Sequence, residues 1–90
     1  TLRRSSAASD VYKRQEVIDA KTRSMMNLSM IGALGKMTEW ETHFRGAIKN
    51  GVSKNELRAI IHVIGIYCGV PQAVECFRVA RKVLEEENLI

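Results

Sequence analysis

Residues 37–71 read MTEWETHFRGAIKNGVSKNELRAIIHVIGIYCGVP, and this stretch decides the fold. Met37, Trp40, Phe44, Ala47 and Ile48 fall on one stripe at helical spacing, which predicts a helix over about residues 37–50. Asn50-Gly51 ends it, because both residues tolerate positive φ. Ser53-Lys54-Asn55-Glu56 then fits a capping box, in which serine and glutamate each satisfy an otherwise unpaired N–H at a helix start. The helix it opens is expected over 54–68, with Leu57, Ile60, Ile61, Ile64, Tyr67 and Cys68 as its main face. Val63 and Ile66 lie off that face, so more than one side is apolar, as in a central helix or one at a subunit interface.

Towards the N-terminus, a helix is expected over 20–34, with Asp19 as N-cap and Gly35 as the terminating residue. Met26, Met30 and Leu34 repeat at i+4 to give its apolar stripe, with Ile31 beside them. Towards the C-terminus, Gly69-Val70-Pro71 breaks the chain, and Pro71 suits the first position of a helix over 71–87. Ala73, Cys76, Phe77, Ala80, Val83 and Leu84 share its inner face, and Glu85-Glu86-Glu87 reads as a solvated end. No period-two alternation competes. The fold class is therefore all-α, a compact subunit of about four helices with antiparallel neighbours across short loops.

Residues 1–15, TLRRSSAASDVYKRQ, lack helical apolar periodicity and read as a disordered arm. The string also resembles translated cloning-adaptor sequence, so the helical domain is taken as residues 16–90. The whole chain carries +4, and Arg3, Arg4, Lys13 and Arg14 against Asp10 place +3 of that in the arm. A basic tail on a nearly neutral body is not a nucleic-acid-binding face, so no nucleic-acid partner is expected. A small basic helical module resembling a helix-turn-helix is the remote alternative.

Ninety residues allow one domain and exclude a large enzyme with separate cofactor and substrate domains. Two cysteines make neither a disulfide scaffold nor a metal-binding cluster. The longest nearly apolar run, Ile60 to Val70, is shorter than the roughly 20 residues that span a bilayer, so no membrane partner is expected. The basic start is followed by no apolar signal region, which points to a cytoplasmic protein. No zinc, phosphate-loop or dinucleotide fingerprint occurs, and no metal or cofactor is expected.

The motifs form an ordered set. Thr22-Arg23-Ser24 is followed by Gly35-Lys36, Glu39, His43, Arg45-Gly46-Ala47, Asn50-Gly51-Val52 and Glu56, and then by IGIYCGVPQAVECFRVARKV from Ile64 to Val83. Over about residues 18–84 this resembles the carboxymuconolactone decarboxylase family, with its TRS run, its ALGR-xx-EL-xx-H-x-RGA-xx-NGV run and its YCGVP run. The resemblance implies an alkylhydroperoxidase D-like (AhpD-like) helical subunit that assembles into a homo-oligomer, a trimer or hexamer. It also implies cofactor-free decarboxylation of 4-carboxymuconolactone to the enol-lactone of β-oxoadipate, in the protocatechuate branch of aromatic breakdown. The family's aromatic-rich segment ahead of the TRS run is missing, which implies an N-terminally truncated member. A related peroxidase branch uses Cys-xx-Cys-xxx-His. Aligned on His43, its cysteines fall at Lys36 and Glu39, so thiol peroxidase activity is not expected.

Glu39 and His43 are one helical turn apart. Spacing alone favours a surface pair adding about 0.2–0.5 kcal/mol to the helix. In the resembled family the histidine is a motif position, which favours a catalytic pair: His43 protonating carbon, Glu39 fixing its tautomer and raising its pKa. The substrate is a dianion, and Arg23 and Arg45 are the candidates to hold its carboxylates, because guanidinium matches carboxylate bidentately. Arg23 sits in a helix's first turn, where a cation gains nothing from the dipole. His62 lies opposite the main apolar face of its helix and is expected to be a hydrogen-bonded interface residue. Trp40 and Tyr67 are expected to pack in the core, and the methionines to lie in the core or on an oligomer surface.

Overall fold

A computed structural model describes residues 17–90. The arm at residues 1–15 lies outside the described residues. Four helices follow one another: α1 (Ala20–Leu34), α2 (Met37–Lys49), α3 (Lys54–Cys68) and α4 (Val70–Glu86). Among the described residues no helix is long and apolar enough to cross a membrane.

The helix ends are set by local chemistry. Asp19 Oδ1 accepts from the Thr22 N–H at 2.8 Å, and that bond holds its carboxyl below the usual aspartate range. At α3 both halves of the capping box form: Ser53 N–H donates to Glu56 Oε1 at 2.8 Å, and Glu56 N–H donates to Ser53 Oγ at 3.1 Å. α1 and α2 end in the same way. Lys36 N–H reaches Ile31 O while Gly35 N–H reaches Gly32 O, and Val52 N–H reaches Ala47 O while Gly51 N–H reaches Ile48 O. Each motif needs one left-handed residue, supplied by Gly35 at φ 74° and Gly51 at φ 92°. Asn50 keeps φ −84°, so Gly51 alone makes the second turn. The last helix starts and ends one residue earlier than its sequence pattern suggests, with Pro71 in its first turn.

Helices α1 and α4 each pack on both α2 and α3 and on each other, whereas α2 and α3 do not approach closely. The short 50–53 connection therefore does not make its two helices neighbours, as the loop-length argument expects. It carries the chain from one side of the α1–α4 pair to the other.

The core comprises Leu28, Trp40, Phe44, Ala47, Val52, Leu57, Ile60, Ile64, Cys76, Val79, Ala80 and Val83. Trp40 is its largest member. Its indole N–H donates to the Cys76 carbonyl at 3.1 Å, and its ring lies 5.6 Å from that of Phe44. The expected stripe of α1 is corrected: Met26, Met30 and Leu34 are exposed, while Leu28 and Gly32 are buried, with Met25 and Ile31 partly buried against the core. The reason is close approach. A Cβ on Gly32 would lie 2.5 Å from Ile64 Cδ1, 2.9 Å from Trp40 Cζ3 and 3.2 Å from Cys76 Sγ. The smallest residue of α1 sets which face turns inward, and a search for bulky apolar spacing passes over it. Tyr67 and Phe77 are likewise exposed rather than core, at 83% and 56%, and Val79 is buried in α4.

Candidate functional site

Helix α2 carries two different outer surfaces beside its buried Trp40–Phe44–Ala47 stripe. One bears Glu39 and His43, both exposed. They share the flank that their spacing predicts, but no hydrogen bond or ion pair joins them. The other is a groove of about 530 Å³ lined by Thr38, Glu41, Thr42, Arg45, Gly46 and Lys49.

Arg45 dominates this second surface. Its Nη1 donates to Glu87 Oε2 at 2.9 Å, and its Nη2 donates to Glu41 Oε2 at 3.0 Å and to Glu86 Oε1. Lys82 Nζ reaches the other oxygen of Glu41 at 3.3 Å. The Arg45 hydrogen bond, followed by that of Lys82, holds the Glu41 carboxyl below the usual range. The bond that Arg45 donates to Glu86, followed by the one it donates to Glu41, raises the guanidinium's pKa further. The end at Glu85–Glu87 is exposed to solvent, as expected, but its carboxylates are not idle. Glu86 and Glu87 clasp Arg45 and tie the end of α4 to α2, while Glu85 pairs with Arg81 at 3.1 Å. A substrate carboxylate at Arg45 has to displace a protein carboxylate.

Arg23 lies in the first turn of α1, part-buried and engaged in an interaction of its own, with its backbone N–H on Asp19 O at 2.9 Å. Neither of the two principal grooves is lined by more than one of Arg23, Glu39, His43 and Arg45. Arg45 lines the first of these grooves, and none of the four lines the second.

The larger groove, about 940 Å³, runs along α3 and α4. Gly65 and Ala73 mark a close approach of the two helices, since a Cβ on Gly65 would stand 3.1 Å from that of Ala73. His62 lines this groove, exposed and with no partner among the described residues. Its expected hydrogen bond is not made among the described residues. Arg58, one turn earlier, lines the same groove, again without a partner. Sequence reasoning passed over Arg58; the i, i+4 spacing to His62 was the signal available.

The two cysteines differ in kind. Cys68 is exposed, whereas Cys76 is fully buried with its thiol 3.8 Å from the Gly32 carbonyl, and burial pushes that thiol's pKa up. Among the described residues no group of three His, Cys, Asp or Glu side chains is placed to hold a metal ion.

Comparison with known proteins agrees with the helical motifs. Residues 3–82 match the model of the carboxymuconolactone decarboxylase family. The chain is 35% identical over 69 residues to the nitrosuccinic acid decarboxylase of Metarhizium robertsii, covering 77% of this chain and 48% of that protein. It is 32% identical over 65 residues to the 4-carboxymuconolactone decarboxylase of Acinetobacter baylyi, covering 72% of this chain and 48% of that protein. The chain thus spans about half the length of these curated relatives. The four helices, the ordered motifs along them and a family match over most of the sequence agree: the chain belongs to the carboxymuconolactone decarboxylase family.

Proposed function

We propose that the protein is a decarboxylase that removes CO₂ from 4-carboxymuconolactone without a cofactor, as a cytoplasmic homo-oligomer. The observation that carries this reading is the family match across the run containing Glu39, His43 and Arg45. In the proposed reaction the bond between the ring carbon and its carboxylate breaks and CO₂ leaves. The electron pair moves through the ring alkene onto the lactone oxygen, and a proton is then delivered to carbon. His43 is the acid. Its exposure on α2 suits that duty, because a proton donor must be reachable by the substrate. Glu39, one turn away, orients the imidazole once the site is complete. Arg23 holds a substrate carboxylate, and Arg45 takes one by exchange with Glu86 or Glu87. The separation of these groups over two surfaces fits a site completed by another copy in a trimer or hexamer.

The experiment is turnover of enzymatically generated 4-carboxymuconolactone by the full-length parent protein and its His43→Ala variant. A loss of roughly 10²–10⁴-fold in kcat with the assembly intact is expected for removal of a general acid. Absence of turnover by the folded parent sinks the named reaction. One observation favours a second reading, the same chemistry on another acid: relatives of similar identity, 35% and 32%, are named for different substrates. Turnover of nitrosuccinate in place of the lactone would establish it.

A further inference from the structure

The groove along α3 and α4 is polar at one end and apolar at the other. Lys54, Arg58 and His62 follow one another at intervals of four residues on α3, so their side chains form a ladder of nitrogens along one wall, with steps of roughly 6 Å. Beyond them the groove is lined by Ile66, Val70, Val74 and Phe77, all more than half exposed. Among the described residues no acidic side chain lines it.

The cations of this surface differ in what they already hold. Lys54 Nζ donates to the Leu89 carbonyl at 3.0 Å, and Arg81, on the opposite wall, is paired with Glu85. Arg45 and Arg78 have carboxylate partners as well, and Arg23 is engaged. Arg58 is the arginine left without a partner among the described residues, and His62 beside it is also unpaired. An open pair of donors at the head of an apolar channel, with no acidic side chain among the described residues that line it, is complementary to one kind of small molecule.

We propose that this groove binds a monocarboxylate with a hydrocarbon body, its carboxylate held by Arg58 and His62 and its body lying against Ile66, Val70, Val74 and Phe77. Guanidinium offers two parallel N–H donors to the carboxylate, and the imidazole N–H one turn away reaches its outer edge. The groove's volume is within the usual range for sites that enclose such molecules. Neither Glu39 nor His43 lines this groove, so its ligand need not be the decarboxylase substrate.

The test is titration of the ¹⁵N-labelled chain with octanoate, and with 1-octanol and octylammonium as neutral and cationic bodies of the same length. Octanoate should shift the backbone amides of Ile61, Gly65, Ala73 and Phe77, and bind about tenfold tighter than 1-octanol, as expected for one added charge-assisted hydrogen-bonded contact. Arg58→Gln, at an exposed position, should abolish that difference without altering 1-octanol binding. Phe77→Ser should weaken both ligands. Equal binding of octanoate and 1-octanol, an unaffected Arg58→Gln variant, or shifts confined to α2 would each overturn the proposal. So would amides along α3 and α4 that broaden with protein concentration and ignore octanoate, since a second copy would then be the occupant. None of these outcomes alters the turnover expected of His43.

Discussion

The crossing at Gly32 and the valley between α3 and α4 are built from similar residues and do opposite things. Around Gly32 the helices are so close that a single added methyl group has no room beside Trp40, Ile64 and Cys76. Along the valley, Ile66, Val70, Val74 and Phe77 stand open to solvent. Both regions contain a glycine facing a small gap. At Gly32 the gap is closed by three helices, while at Gly65 only Ala73 meets it and the surface above stays uncovered. Apolar content therefore does not mark the core of this protein; the number of helices converging on a position does.

The contrast can be broken most forcefully at Trp40. Trp40→Ala removes the largest fully buried side chain together with its bond to the Cys76 carbonyl, and should cost about 3–5 kcal/mol in urea unfolding followed by circular dichroism. Gly32→Val adds volume where none exists and should cost about 1–3 kcal/mol, the usual range for overpacking. If Gly32→Val is neutral, the crossing is looser than the contact distances state.

The valley should respond differently. Phe77→Ser, at a position 56% exposed, should change the stability of the isolated chain by less than about 0.5 kcal/mol. A larger loss that grows with protein concentration would show that a second copy covers this surface, and would move the valley into the same class as the Gly32 crossing.

The smallest effect expected is that of acid. Asp19, Glu41, Glu56 and Glu75 all have folded pKa values below their ordinary values of 3.8 for aspartate and 4.5 for glutamate. A depressed carboxyl contributes stability that is present above its unfolded pKa and is lost as pH falls through its folded one. Urea midpoints should therefore hold from neutral pH to about pH 5 and decline below that, more weakly in high salt, because these groups lie at the surface. Arg45→Gln should reduce the part of this decline that belongs to Glu41, since Arg45 is the leading cause of that shift. A midpoint that rises on acidification would contradict the ion-pair assignments.

The legible and illegible parts of the candidate site divide along the same line. The Glu39–His43 spacing needed only the periodicity of a helix, and the structure places both side chains on the expected flank. That Arg45 is clasped by Glu86 and Glu87 was not readable, because those residues lie 41 and 42 positions away and meet it only when α4 folds back onto α2. Arg58 escaped notice for the converse reason. Its lack of a partner is visible only when the partners of the other arginines are known.

By itself the sequence determined where α1 and α3 begin and where α1 and α2 end. Asp19, the Ser53–Glu56 box, Gly35 and Gly51 act on backbone groups within five residues of themselves, so their effect needs no knowledge of the rest of the chain. Tertiary structure alone decided that α1 turns Gly32 and Leu28 inward and leaves Met26, Met30 and Leu34 outside, that Tyr67 and Phe77 are exposed, and that α2 and α3 stand apart despite a short connection. Those outcomes depend on which helices can approach most closely. That is a property of the smallest side chains at the crossings, and hydrophobic spacing along one helix carries no information about it.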